Sequence, residues 1–454
     1  MSNLTAISPL DGRYYEEVKD LSPIFSEWAL MKYRLKIEVE YLIALSNEPK
    51  VAEVREFTAE ERARLRSICE KFGEAEALKV KKLEKTAKHD VKSIEYYLKE
   101  RVGGIKSLKG YSEFVHFALT SEDVNNLSYS LMLKEGLMAY VKVLKTLLAK
   151  LKALAHKNKK VAMLSLTHGQ PATPTTLGKE LAVFYSRLDR QLADLRFLKL
   201  FGKFSGTVGN WNAHLIAYPK IDWTAFSRKF VESLGLEFNP LTTQIEPHDC
   251  LAQAYHNLVR LNNIVKDLNQ DLWLYVSRGI FKQKKVNGEV GSSTMPHKIN
   301  PIYFENSEGN LGLANAVLEH LASKLTVSRL QRDLSDSTVL RNQGVGLGYS
   351  ILAIKSTLNG LSRLEVDKQK VSGELKNHWE LLAEPIQVVL RKEGYSKPYE
   401  ALKSLTRGQT ITKTDLHKFI KSLKIGKIAK DQLLKLTPEN YLGLAGKLVD
   451  KYLK

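Results

Sequence analysis

Apolar residues recur along this chain at alternating steps of three and four. Leu137, Val141, Leu144, Leu148, Leu151 and Ala155 form one such series, and Leu251, Ala254, Leu258, Leu261, Val265, Leu268, Leu272 and Tyr275 form a longer one. This spacing lines up apolar side chains on one face of an α-helix and belongs to long helices packed nearly parallel or antiparallel to one another. A helix of about 30 residues is ~45 Å long at about 1.5 Å per residue. That length outruns the core of one compact domain, so the pattern predicts packing against equivalent helices of other subunits. Ser22-Pro23 reads as an N-cap followed by proline at the first helical position, and the stretch from there to Ser46 reads as one amphipathic helix. Further helical patterns run from about Thr175 to Leu200 and from Asn306 to Leu330, whereas strand patterns are few.

The segments between these helices are short and rich in glycine, proline and polar side chains. They are SLTHGQPATPTT (165–176), GTVGNWNAHLIAYP (206–219), TTQIEPHD (242–249) and GEVGSSTMPHKINP (288–301), all expected to be non-helical. Gly103, Gly104 and Gly110 mark a boundary near residue 110, and Gly360 with the charged stretch after it marks another near 365. The expected fold is therefore all-α. An N-terminal helical domain (1–110) precedes a central long-helix bundle (111–365) and a C-terminal helical domain (366–454). Helix sides in a bundle are used for packing, so polar residues that do chemistry collect in loops and at helix ends.

Composition narrows the class. With 454 residues, the chain is too long for one ordinary core. Its sequence has no run of ~18 uncharged apolar residues, which predicts no membrane span. The first residues, MSNLTAISPLDGRYYEEV, lack the basic and apolar regions of a signal peptide. Cys69 and Cys250 do not make a disulfide framework, and a reducing cytoplasm is the expected setting. The net charge is +19. Its lysines are scattered at helical spacing with glutamates and there is no arginine-rich tail, so the charge reads first as a solvated surface. An anionic small substrate drawn in by the field comes next, and nucleic acid last. No HExxH, paired CxxC or phosphate-binding glycine loop occurs. The His89-Asp90 and His248-Asp249 pairs are of a kind that arises by chance, so no metal and no cofactor are expected.

Candidate chemistry sits in two loops. His168 lies in THGQPATP, where a histidine serves as a general acid or base, or is simply bonded to loop backbone. Ser292 and Ser293 stand between Gly291 and Thr294. Glycines at 288 and 291 allow close approach of backbone, and adjacent N–H groups in such a loop bind an anion. A plain surface loop is the competing reading, but Met295, Pro296 and Pro301 stiffen the far end, which a linker does not need.

GSSTMPHKINP (291–301) resembles the signature of the fumarase–aspartase superfamily, whose pattern is GSSxMPxKxNP. DGRYYEEV (11–18), TSEDVNNLS (120–128), THGQPATP (167–174) and QRDLSDSTVLRN (331–342) are similar to the adenylosuccinate lyase family within it, in the longer bacterial form. This resemblance covers essentially the whole chain. It implies a three-domain all-helical fold and a homotetramer whose active sites are shared between subunits. The implied reaction is C–N cleavage with release of fumarate, turning adenylosuccinate into AMP and SAICAR into AICAR. Such a substrate is a small anionic nucleotide, in keeping with the positive charge, and neither cofactor nor membrane is implied.

The resemblance also assigns residues. It makes Ser292 the base and His168 the acid of an anti β-elimination, with Ser293 binding carboxylate; spacing alone does not separate the two serines. The signature loop is expected to close over substrate and, with Lys298, favour the serine alkoxide. Arg13 and Tyr14 match phosphate contacts, and Thr120 and Ser121 match contacts to the succinyl carboxylate. Lys88, His89 and Asp90 lie in a matching substrate-binding stretch, where His89 meets the phosphate or orients the substrate. Gln244, Lys298 and Asn300 correspond to the fumaryl site. Asn306, Arg332, Ser337, Thr338, Val339, Leu340 and Arg341 complete the nucleotide site. A plainer reading pairs Arg332 and Arg341 with Asp333 and Asp336 at the surface. Three rival functions remain at this stage: argininosuccinate lyase, a basic helical nucleic-acid binder and a metal-dependent hydrolase.

Overall fold

The computed structural model describes residues 3–285, 288, 294–295, 297–406 and 411–453. Ser292 and Ser293 lie outside the described residues. Helices dominate. Those that matter for the site are α1 (Glu27–Ser46), α2 (Asp90–Gly103), α3 (Ser121–Asn158), α4 (Leu177–Arg196), α5 (Asp249–Ser277), α6 (Ile302–Leu325), α7 (Ser335–Leu340) and α8 (Gln343–Ser362). This is the all-α class read from the sequence. No described helix is long and apolar enough to cross a membrane.

Both apolar seams fold as read. In α3, Leu137, Leu144, Leu148, Leu151 and Ala155 are buried, and in α5 every seam residue from Leu251 to Leu272 is buried. Val141 and Tyr275, at the margins of the two stripes, are half-buried.

The expected single helix from Ser22 to Ser46 is two. A first turn, Ser22–Phe25, stops at Ser26, whose backbone is extended (φ −68°, ψ 164°). The Ser26 hydroxyl accepts the Ala29 N–H at 3.1 Å and so caps α1. A serine that offers the chain this local bond starts a helix rather than continuing one. Nor is α1 amphipathic: Ala29, Leu35, Ile37, Val39, Tyr41 and Leu45 are all fully buried and cover its whole circumference. Helices enclosed in this way lose the polar face that an amphipathic reading requires.

Two compact units make up the chain. The first holds Met1–Val143, Gln191–Asn263 and Gly309–Lys355, and the second holds Leu144–Arg190, Ile264–Glu308 and Ser356–Lys454. Their boundaries fall inside α3, α4, α5, α6 and α8.

Helices α5 and α8 share a polar register. In the first unit, the Tyr255 hydroxyl donates to Gln343 Oε1 at 3.0 Å, and Asn262 Nδ2 donates to Ser350 Oγ at 2.9 Å. In the second, Asn269 Nδ2 donates to Thr357 Oγ1 at 3.0 Å and to Ser307 Oγ of α6 at 3.0 Å. Each rung lies seven residues beyond the last on both helices, so the two run parallel. Asn262 and Asn269 are buried, and a satisfied buried amide fixes which residues face each other.

Two local elements depart from the expectation of plain loops. SLTHGQPATPTT folds as a hairpin of β1 (Ala162–Thr167) and β2 (Gln170–Thr176), antiparallel with Thr167 opposite Gln170. His168 (φ 53°) and Gly169 (φ 73°) form its two-residue turn. Left-handed backbone at both central positions matches the right-handed twist of the strands it joins. The segment GTVGNWNAHLIAYP contains a short helix, Asn212–Ala217, too brief to show a period in sequence. In the first unit, Phe25 packs where α3 and α8 carry Gly136 and Gly344, and a Cβ at either glycine would overlap its side chain. The C-terminal helices of the second unit bury their own cluster, including Leu382, Ile386, Leu390, Leu416 and Ile420.

Candidate active site

The first unit draws together residues from four distant stretches. Asp90 opens α2, and His89 caps it, its Nδ1 accepting the Lys92 N–H at 3.2 Å. Lys88 before it turns left-handed (φ 53°) and so delivers His89 and Asp90 at the helix start. Asp90 Oδ2 accepts one N–H from Arg34 at 2.8 Å and one from Arg341 at 3.0 Å. Arg34 Nε donates to Asn125 of α3 at 2.8 Å. Burial would push the Asp90 carboxyl up, but the two guanidiniums hold it down to about 2. Asp90 is thus an ion-pair hub that joins α1, α2 and the segment after α7. Arg341 pairs with Asp90, not with Asp333 or Asp336.

Arg332 is the second centre. Its guanidinium donates to Gln244 Oε1 at 3.2 Å and to Ser337 Oγ at 3.1 Å. It lies 3.7 Å from Glu122 Oε2 and 3.9 Å from Asp336 Oδ1, with 17% of its side chain exposed, so it is no surface ion pair. Gln244 is itself fixed, its Nε2 donating to the Thr207 carbonyl at 2.9 Å. Three of the expected residues, Gln244, Arg332 and Ser337, therefore meet.

Beneath Arg332 lies a buried layer that sequence reasoning missed. Glu122, His248 and Asp336 are all buried. Burial pushes the Glu122 carboxyl up to about 8 and the His248 imidazole down to about 4. Next to Glu122, Asp123 accepts the N–H groups of Thr120 and Ser205, each at 2.9 Å. It also accepts Lys203 Nζ at 2.6 Å in a fully buried ion pair. This carboxylate pins the TSED turn and leaves Thr120 and Ser121 half-exposed. The signal for Asp123 was its place two residues after Ser121 in the matched stretch; nothing in sequence marked Lys203, some eighty positions on.

The remaining predicted residues are placed as follows. Arg13 is exposed and stacks its guanidinium 5.8 Å from the Tyr14 ring centroid. A cavity of about 380 Å³ nearby is lined by Asp11, Tyr15, Glu27 and Arg341, among others. On α7, Thr338 is exposed, Val339 half-buried and Leu340 buried in the core. In the second unit His168 stands exposed at the hairpin tip. Lys298 is exposed, while Asn300 and Asn306 are half-buried. The Ile299 carbonyl accepts Gln283 Nε2 at 3.1 Å, which fixes the end of the signature loop.

Such an array of guanidinium, amide and hydroxyl groups on a helical scaffold suits a small polyanion. Comparison with known proteins agrees. A family profile described as "Lyase" matches residues 12–317, and one described as "Adenylosuccinate lyase C-terminal" matches residues 328–442. Among solved structures, a fumarate lyase from Mesorhizobium sp. BNC1 superposes with a TM-score of 0.76 at 18% identity, over 96% of this chain and 97% of that one. The 3-carboxy-cis,cis-muconate lactonizing enzyme from Pseudomonas putida gives 0.74 at 20% identity, over 96% of each chain. These likenesses define the fold, that of the helical fumarate lyases. The adenylosuccinate lyase of Escherichia coli (strain K12) is 50% identical over 455 residues, 99% of each chain. Those of Haemophilus influenzae (strain ATCC 51907) and Legionella pneumophila (strain Corby) are 51% and 50% identical over 452 and 453 residues, again at least 99% of each chain. The chain belongs to the adenylosuccinate lyase family of the fumarase/aspartase superfamily.

Proposed function

We propose that this chain is a C–N lyase of purine nucleotide synthesis. It eliminates fumarate from adenylosuccinate to give AMP and from SAICAR to give AICAR. One observation carries the reading beyond likeness: Gln244 from one stretch and Arg332 and Ser337 from another converge on one hydrogen-bonded array. That array suits an anionic substrate.

The reaction follows from the roles assigned by resemblance. Ser292, as alkoxide, takes the proton from the carbon beside one carboxylate. The electron pair left behind spreads into that carboxylate as a dianion, which Lys298, Asn300 and Ser293 stabilise. The pair then forms the C=C bond of fumarate as the C–N bond breaks. His168 gives a proton to the departing nitrogen on the opposite face. Serine is a weak base in water, so exclusion of water and the Lys298 ammonium are what favour its ionised form. Thr120, Ser121 and Gln244 hold the succinyl end, while Arg13, Tyr14, His89 and Arg341 take the phosphate. Lys88 and Asp90 orient His89 and Arg341, and Asn306, Arg332, Ser337, Thr338, Val339 and Leu340 complete the nucleotide wall. The enzyme works in the cytoplasm as a homotetramer, with Ser292 and His168 of each site supplied by different subunits. Its chain divides into domains at about residues 110 and 365.

The test is direct: incubate the protein with adenylosuccinate, then follow absorbance and fumarate. Absence of fumarate overturns the reading. Ser292→Ala is expected to bind substrate but lose nearly all turnover. Retention of more than about a tenth of the rate, a loss under ~1.4 kcal/mol, removes Ser292 from the role of base.

A further inference from the structure

Glu122 Oε1, His248 Nε2 and Asp336 Oδ2 are among the buried polar atoms of the first unit that lack partners. Their residues are 1%, 1% and 3% exposed. One ligand atom from each residue lies within 4.8 Å of those of the other two. A body between three atoms so spaced sits within about 2.8 Å of each, hydrogen-bond distance for a water and roughly 0.6 Å beyond a Zn²⁺ bond, so an ion would draw the three ligands inward. We propose that Glu122, His248 and Asp336 form a binding site for one divalent cation of the Zn²⁺ class.

Donor chemistry selects the occupant. One imidazole nitrogen and two carboxylate oxygens suit Zn²⁺, Co²⁺ or Mn²⁺ better than an all-oxygen ion such as Ca²⁺. His248 Nδ1 faces Glu246 Oε2 at 3.8 Å. With the ring proton on that side, Nε2 presents its lone pair, and a cation takes it together with the two carboxylates, displacing the proton that burial favours on Glu122. Arg332 does not fill this need. Its distances of 3.7 and 3.9 Å to the two carboxylates are outside hydrogen-bond range, and its N–H groups go to Gln244 and Ser337. Backbone geometry aims the ligands: His248 takes a left-handed conformation (φ 64°) immediately before α5, which turns its ring back toward α3 and α7. Of the His248-Asp249 pair, only the histidine takes part.

The cation ties three stretches of chain together: the start of α3 with Thr120 and Ser121, the turn before α5, and α7 with Ser337. Its role is to hold the wall that carries Arg332, and no step of the elimination passes through it.

Full-length protein, stripped with a chelator and freed of it, is loaded with Co²⁺. The readouts are bound metal per chain, the visible d–d absorption of the ion and the thermal midpoint. Expected are one ion per chain that survives dialysis, an absorption band, and a rise in Tm. All three disappear in Glu122→Gln, which is nearly isosteric, and in His248→Ala, with folding of each checked by circular dichroism. Wild-type protein that retains no stoichiometric ion overturns the proposal and leaves a shared proton with a water as the occupant. An ion that binds equally well to folded Glu122→Gln also overturns it, because an exposed histidine such as His89 is then the ligand.

Discussion

Asp90 shows how one carboxylate organises a polar site. It compensates Arg34, whose side chain is only 4% exposed, and holds Arg341 by a second bond. Asp90→Asn removes the charge and leaves the Arg34 guanidinium buried without it. A loss on the order of 2–4 kcal/mol is expected, read as a lower urea midpoint at unchanged slope. The pH dependence has a definite sign. The folded carboxyl titrates at about 2, below its ordinary value of 3.8, so its contribution is complete above pH ~4 and is lost as pH falls through 2. His214 acts in the same direction by a different cause. It is 1% exposed, packs edge-on against Trp223 with ring centroids 4.8 Å apart, and burial pushes it down to about 4. An unfolded histidine takes up its proton near 6.5. Stability therefore falls as pH drops from about 6.5 to about 4, by on the order of 1–3 kcal/mol for this group, and levels off below. His214→Phe keeps the ring packing and removes the titration, so its stability profile is flatter over that interval in equilibrium unfolding. A slope equal to that of the wild type places the effect on other groups.

At the level of elements, sequence and structure agree where side-chain period decides and part where a single residue decides. The α3 and α5 seams were legible because four-and-three spacing repeats over many turns. The break at Ser26 was not, because a capping hydroxyl outweighs a continuing apolar pattern. The hairpin around His168 was read as a loop, since its only mark was a His-Gly turn between short polar strands. Motif residues of the site were legible because polar side chains concentrated in loops have no packing role. Glu122, His248 and Lys203 were not, because their meaning lies in what they face across the fold. The glycines on α3 and α8 carry a test at this scale. A Cβ at Gly344 would overlap Phe25. Gly344→Ala is expected to cost roughly 1–3 kcal/mol despite alanine's better helix propensity. Phe25→Leu in the same background should recover part of it, as a double-mutant cycle would show.

For the molecule as a whole, the proposed sharing of each site between subunits makes a prediction that no single chain can satisfy. Ser292→Ala retains His168, and His168→Ala retains Ser292. When the two inactive variants are dissociated and reassociated together, about a quarter of sites should combine both intact groups if assembly is random and symmetric. Fumarate release should return to about that fraction of the wild-type rate. Confirmed subunit exchange without activity rejects the shared site. A last consequence follows from the rungs between α5 and α8. Tyr255, Asn262 and Asn269 meet Gln343, Ser350 and Thr357 at one constant offset. A single residue inserted between two rungs would rotate everything beyond it by about 100° and strand the buried amides. The two helices thus act as a ruler graduated in sevens. Over evolutionary time this bundle can lengthen or shorten only by whole heptads, and only if both helices change together.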